Sequence, residues 1–302
     1  MKQNTILWHG EMTTERALTR RGMSFLSSGI FWLTAFLVLP SLIFVVLSFA
    51  ERGVYGEVIW NFSFDNYKRL AGFSSFGWTP DYLLILGRSV VVSLVTTLVS
   101  ILLSYPLTFF IASRPARNRF VWLVILIIPF WTNIVIRTYA WFLLLSPDLP
   151  FARFATFLGF IPDGSSLYPS AFAVYIGMIS DYLPFLALPL YSSVERMDWA
   201  LVEAAQDLYA SRYRVFMQAI LPQTAPGLTV GIILTLVPTM ATFVVPDLLG
   251  GAKYMLVGNL IQQQFGTSRD WPFGAAISMA LMLLTLLSMR IYRRKGNTVD
   301  II

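Results

Sequence analysis

Long uninterrupted apolar runs, separated by shorter polar stretches, dominate the pattern of this chain. Crossing the hydrocarbon core of a bilayer takes about 20 mostly apolar residues. Six runs reach that length: residues 30–49, 89–113, 120–145, 170–194, 227–246 and 273–292. Four of them carry no Asp, Glu, Lys or Arg before their ends; the third holds Arg137 and the fourth Asp181. Pro40, Pro106, Pro129, Pro184, Pro189 and Pro238 fall inside these runs. Spanning helices tolerate proline because neighbouring helices and hydroxyl side chains satisfy the freed carbonyls. A membrane β-barrel would show alternation instead of continuous runs. The expected fold is therefore an all-α polytopic membrane protein with six transmembrane helices.

Composition sharpens this picture. Of 302 residues, 56% are hydrophobic and only 13% charged, against about a quarter charged in a soluble domain. Mean hydropathy is +0.66. There is no cysteine, which excludes disulfides, zinc–thiolate sites, iron–sulfur clusters and cysteine nucleophiles. The one histidine, His9, lies in the polar N-terminal stretch. No His-based metal site or Ser-His-Asp triad is therefore expected in the apolar body, and no resident metal or cofactor. The net charge of +6 would suit nucleic acid, but its placement fits membrane topology. With the N-terminus inside, the inside segments hold fourteen basic residues and the outside segments seven. An excess of Lys and Arg marks the cytoplasmic side, so both termini are expected in the cytoplasm of a cell whose inner membrane holds the protein.

Three regions follow: a polar tail at 1–28, a transmembrane body at 29–293 and a short tail at 294–302. Residues 1–28 are too polar and too long to open a cleaved signal peptide, so the first run is expected to be retained. Residues 11–23 form either a surface amphipathic helix or a mobile tail. Residues 50–88 hold Trp60, Phe62, Phe64, Tyr67 and Trp78; this outer segment is either a docking surface or a loop folded over its own helices. No internal repeat is evident, as it would be in many secondary transporters.

The inside loop at about 195–222 has helical periodicity, with apolar Trp199, Val202, Ala205, Leu208 and Ala210 against charged Asp198, Glu203, Asp207, Arg212 and Arg214. A loop that only connects two spans has no need of an amphipathic helix. The run Glu203-Ala204-Ala205, with Asp207, Leu208, Ala210, Ser211, Phe216 and Ile220-Leu221-Pro222, resembles the coupling motif of the membrane subunits of type I ABC importers. That motif carries a glycine where this chain has Tyr209. The departure implies a different local turn or one continuous helix. Pro129-Phe130-Trp131-Thr132-Asn133, Leu188-Pro189-Leu190-Tyr191, Asp247-Leu248-Leu249-Gly250-Gly251 and Arg269-Asp270-Trp271-Pro272-Phe273 are similar to the spermidine/putrescine branch, B-type subunit.

The resemblance implies an ATP-driven importer. Its partners would be a homologous C-type permease, two ATPase subunits and a periplasmic substrate-binding protein, with lipid around the spans. It also implies a coupling surface over Glu203, Ala204, Ala205, Asp207, Leu208, Tyr209, Ala210 and Ser211. The chain has no Gly-x-x-x-x-Gly-Lys-[Ser/Thr] phosphate loop, so ATP and Mg would belong to the partner subunits. It is not expected to be an enzyme itself.

A charge inside a span costs roughly 2.5–3.5 kcal/mol on insertion scales, so each needs a reason. Asp181 either lines a cation pathway or pairs with Arg137; Arg137 pairs with Asp181 or with Asp247, placed at the outer end of the fifth run. Trp131, Tyr139 and Tyr182 are further pathway candidates, since aromatic faces attract ammonium groups. Other cargoes within the class are another organic cation, an opine-like amino-acid derivative or an aminophosphonate. A stand-alone channel or secondary carrier is the alternative from another class, and it leaves the amphipathic loop without a task.

Overall fold

The computed structural model describes residues 26–27, 29–74, 77–162, 164–251 and 254–296, with side chains to Arg290. His9, the 11–23 stretch, Lys253 and the basic side chains after Arg290 lie outside the described residues. Among the described residues, five helices are long and apolar enough to cross a membrane: α1 (Gly29–Ser48), α3 (Asp81–Ala112), α7 (Ala171–Glu195), α9 (Arg212–Ala241) and the part of α12 (Trp271–Gly296) up to Arg290. Between α1 and α3 lie a hairpin β1 (Glu51–Arg52)–β2 (Val58–Ile59), α2 (Asp65–Leu70) and a second hairpin β3 (Phe73–Ser74)–β4 (Gly77–Trp78).

The third run departs from expectation. It is not one helix over 120–145 but α4 (Ala116–Ile127), a 3-10 turn to Trp131, and α5 (Ile134–Leu144), bent by 95°. The cause is local: Thr132 is extended and turns its hydroxyl back to the Pro129 carbonyl at 2.6 Å. Asn133 then caps α5, its Oδ1 accepting from the Val135 N–H at 2.8 Å, as N-cap residues do. The sixth span exists if this bent pair is counted as one.

The fifth run is also shifted. Its helix begins at Arg212, not near Gly227, and stops at Ala241, where Thr242 is extended. Pro222 and Pro226 look like a boundary, yet a π-turn at Phe216–Ile220 directly before Pro222 carries the helix through; wide turns of this kind absorb such interruptions. Asp247 therefore sits on a separate short helix, α10 (Val244–Gly250), rather than at the end of the span.

α7 is the central element and packs along α3 and α9. Gly227 faces the Pro189 carbonyl, and a side chain on Gly231 would start 2.9 Å from the Leu186 carbonyl. Small residues of this sort allow close backbone approach where lipid supplies no hydrophobic drive between helices. The buried face of α3 is hydroxylic: Ser89, Ser93, Thr96, Thr97, Ser100, Ser104 and Thr108. Ser93 Oγ lies 2.7 Å from both the Leu236 carbonyl and the Thr239 hydroxyl, and the Val257 N–H donates to Ser89 Oγ at 2.8 Å. An apolar core of Val92, Val174, Met178, Val245, Leu249 and Leu256 packs α10 against α7, and a second one holds α11 (Val257–Phe265) on α12. α6 (Pro150–Phe157) lies in the loop after α5.

The 50–88 segment takes the folded-over alternative. Asn66 Nδ2 donates to the Ser48 and Ala50 carbonyls at 3.0 and 2.8 Å, and Phe49 stacks on Phe62 at 4.9 Å. Trp60, Phe62, Phe64 and Trp78 still present much of their surface outward.

Candidate functional site

The loop between α7 and α9 folds into a tight helical hairpin. Asp198 caps α8 (Trp199–Asp207), its Oδ1 accepting from the Ala200 N–H at 2.9 Å. The Gln223 side chain holds the base of the hairpin: its Oε1 accepts from the Asp198 N–H at 2.8 Å and its Nε2 donates to the Ala219 carbonyl at 2.8 Å. Met197, Val202, Val215 and Ala219 form a small core, with Ala205, Ala210 and Phe109 of α3 packed on it. Trp199 meets Phe109 edge-on at 6.1 Å. One face of the predicted amphipathic helix is thereby spent on the protein's own helices.

The other face is open. Glu203, Ala204, Asp207, Leu208, Tyr209 and Ser211 are exposed, whereas Ala205 and Ala210 are half-buried. The eight coupling candidates thus divide into six outward residues and two that pin the hairpin.

The turn itself is specific. Leu208 ends α8, Tyr209 has φ of +54°, and the N–H groups of Tyr209 and Ala210 donate to the Gln206 and Ala205 carbonyls at 2.9 and 3.1 Å. This is the Schellman ending of a helix, with a left-handed residue one position past the cap. The chain keeps the turn that a glycine would make, rather than a new turn or a continuous helix. A residue with a Cβ in this conformation costs roughly 1–2 kcal/mol. Ser211 starts α9, its Oγ accepting from the Arg214 N–H at 3.4 Å.

The intramembrane charges resolve into one pair. Arg137 Nε lies 2.7 Å from Asp181 Oδ1, with side-chain exposures of 15% and 3%. The contact is ionic, not a well-angled hydrogen bond, and neither Asp181 oxygen accepts a hydrogen bond among the described residues. Arg137 Nη1 also donates to the Pro129 carbonyl at 2.8 Å, and the guanidinium lies over the Phe130 ring at 5.1 Å. Arg137 therefore ties α5 both to α7 and back across the bend to the end of α4. Tyr182 is buried beside this pair. Trp131 is 85% exposed at the bend and Tyr139 half exposed on α5. Asp247 is exposed on α10, in a 220 Å³ pocket with Tyr254, Asn259, Gln262 and Gln263. These candidates form no single converging site.

Sequence reasoning passed over a second ion pair, in which only the carboxylate is buried. Arg69 Nη1 lies 2.7 Å from Asp270 Oδ2, whose side chain is 2% exposed, and its guanidinium stands 4.0 Å from the centre of the Phe273 ring. Asp270 Oδ1 also caps α12 by accepting from the Phe273 N–H at 3.2 Å. Burial works against the Arg69 charge, yet hydrogen bonds to Asp270 and Tyr82 hold its pKa above the usual guanidinium value. Asp before Trp-Pro is a helix-start signal that pointed to the cap, though not to Arg69. The hydroxyls of α3 were equally legible, recurring every three or four residues.

The fold is that of the membrane subunits of type I ABC importers. It matches a chain of a bacterial alginate ABC transporter, solved in complex with an alginate pentasaccharide-bound periplasmic protein, with a TM-score of 0.69 over 94% of this chain and 97% of that one, at 14% identity. The spermidine/putrescine transport system permease protein PotB of Salmonella typhimurium (strain SL1344) is 41% identical over 89% of this chain and 91% of its own length. PotB of Escherichia coli (strain K12) is 40% identical over 89% of this chain and 95% of its own length. The chain belongs to this family of spermidine/putrescine transport system permeases. The spermidine/putrescine transport system permease protein PotC of Escherichia coli (strain K12) is 30% identical over 39% of this chain and 47% of its own length. No protein-family model matches the chain.

Proposed function

We propose that this protein is one of two permease subunits of an ATP-driven polyamine importer in the bacterial inner membrane, with both termini in the cytoplasm. A homologous C-type permease completes the pathway, two ATPase subunits bind ATP and Mg, and a periplasmic protein delivers spermidine or putrescine. The observation that carries this role is the α7–α9 hairpin. It is pinned inward by Val202, Ala205 and Ala210 and offers Glu203, Ala204, Asp207, Leu208, Tyr209 and Ser211 outward. The polyamine cargo is supported by what the 40–41% identical relatives are named for.

In this role the hairpin works as a lever. ATP-driven closure of the ATPase subunits pushes its outer face, and the inner face transmits the push to Phe109 of α3 and, through the helix without a break, to α9. The pathway candidates are Asp181, Arg137 and Tyr182 within the spans and Trp131, Tyr139 and Asp247 at more exposed positions.

Reconstitution tests this. The four kinds of subunit in sealed vesicles, with ATP inside the compartment that the ATPases face, should take up radiolabelled spermidine or putrescine. Uptake without the ATPase subunits would point to a carrier or channel. ATP-dependent uptake of an aminophosphonate or opine in place of polyamines would keep the class and replace the cargo.

A further inference from the structure

The outer face of α6 is apolar and open. Ala152 is 1% exposed and seats the helix on the protein, with Ala155 and Thr156 half-buried beside it. In a helix of 3.6 residues per turn, Phe154, Phe157 and Leu158 fall on the far side, and they are 63%, 85% and 50% exposed. Gly159, with φ of +77°, ends the helix, and the Phe160 N–H closes back on the Ala155 carbonyl at 2.9 Å. An exposed apolar patch of this kind marks a contact surface.

The contacts of α6 fix its depth and its rotation. Phe151 meets Trp141 of α5 with ring centroids 6.4 Å apart, and Trp141 Nε1 donates to Ser180 Oγ at 2.7 Å. Ser180 lies nine residues into α7, about 13 Å from its start at 1.5 Å per residue. α6 therefore begins beside the spans and not above them. The Leu167 N–H donates to the Leu145 carbonyl at 3.0 Å, which closes the loop at the adjoining ends of α5 and α7. Arg153, two positions after Phe151, lies on the opposite flank of the helix, away from Trp141. It is exposed and makes no ion pair among the described residues. Aromatic side chains at the depth of the spans, with a cation on the flank toward the bilayer surface, follow the order of acyl chain and phosphate in a phospholipid leaflet.

We infer that α6 is an interfacial helix seated in the outer leaflet, with Phe154, Phe157 and Leu158 in the acyl boundary and Arg153 at the phosphate layer. The occupant of the face is phospholipid. The bilayer surrounds the spans at this depth, and α5 beside it carries exposed Ile136 and Leu143. Seated in this way, α6 fixes the outer end of α5, whose first turn carries Arg137. The leaflet follows from the orientation proposed above; the lipid contact itself is independent of the cargo.

The chain has no cysteine, so a single nitroxide label reports on one position. Arg153→Cys, Phe154→Cys and Phe157→Cys, with Tyr55→Cys as the water-exposed reference, are labelled before assembly with the partner subunits in vesicles of phosphatidylethanolamine and phosphatidylglycerol. Each should keep the wild-type melting temperature, since all four positions are exposed. Labels at 154 and 157 should be open to oxygen and shielded from a water-soluble nickel chelate, with an oxygen-to-nickel accessibility ratio roughly threefold or more above that at 55. The label at 153 should meet the chelate as the one at 55 does. Chelate access at 157 equal to that at 55 would overturn the inference and return the face to water. Exclusion of both reagents at 154 and 157 would overturn it too, because a protein subunit then covers the face. A label at 153 as shielded as the one at 157 would overturn the rotation assigned to α6.

Discussion

Arg137 reaches Asp181 at 2.7 Å across the interface between α5 and α7. Each is the other's only ionic partner among the described residues. Asp247, the competing candidate partner, is exposed on α10 and does not pair with Arg137.

Removing one charge should therefore strand the other. Breaking a buried pair costs about 3–5 kcal/mol. Asp181→Asn should lower the melting temperature of the purified protein markedly, and Arg137→Gln in the same chain should restore part of it. A cation-passing role adds a second signature: the double variant should regain stability but not polyamine uptake. Wild-type stability and uptake in Asp181→Asn would remove the residue from both roles.

The contact between α7 and α9 should be intolerant of side-chain volume. A Cβ on Gly231 would meet the Leu186 carbonyl and Cα at 2.9 and 3.1 Å, which are backbone atoms that do not swing aside. Gly231→Leu should cost about 1–3 kcal/mol as overpacking. Val230→Leu, one position earlier on an outward face, should be neutral. Similar thermal stability for the two variants would contradict the packing described.

The Arg69–Asp270 pair should anchor the folded-over loop. Asp270→Asn keeps an oxygen to cap α12 but removes the charge that holds Arg69. With Asp270 buried and Arg69 partly exposed, the loss should be about 1–2 kcal/mol. Limited proteolysis within residues 50–80 should accelerate in the variant before the spans unfold. Unchanged cleavage would assign the anchoring to Asn66 and the aromatic cluster instead.

Topology can be read with fusions. A reporter active only in the periplasm should work after Pro162 and be silent after Ser211, following the distribution of basic residues. The reverse pattern would overturn the orientation proposed for the spans.

Spans of 20 or more apolar residues were legible in the chain because lipid demands length and composition of any helix that crosses it. The first, fourth and sixth runs, 30–49, 170–194 and 273–292, match α1, α7 and α12 closely. The periodicity of the coupling loop likewise foretold α8. What the chain alone left open were decisions made by contacts between distant residues. Pro129 is compatible with either a straight or a bent span; Thr132 and Asn133 turn the backbone there, and Arg137 reaches back to the Pro129 carbonyl once Asp181 holds it. The fifth run reads as starting at residue 227, whereas its helix begins at Arg212 and continues past Pro222 and Pro226 after a π-turn at Phe216–Ile220. Which of Asp181 and Asp247 meets Arg137, and which face of the hairpin remains open at Tyr209, depended on where α3, α7 and α9 lie in space. Local sequence carries propensities for length and caps, whereas pairing across 44 residues, as between Arg137 and Asp181, exists only after the helices have packed.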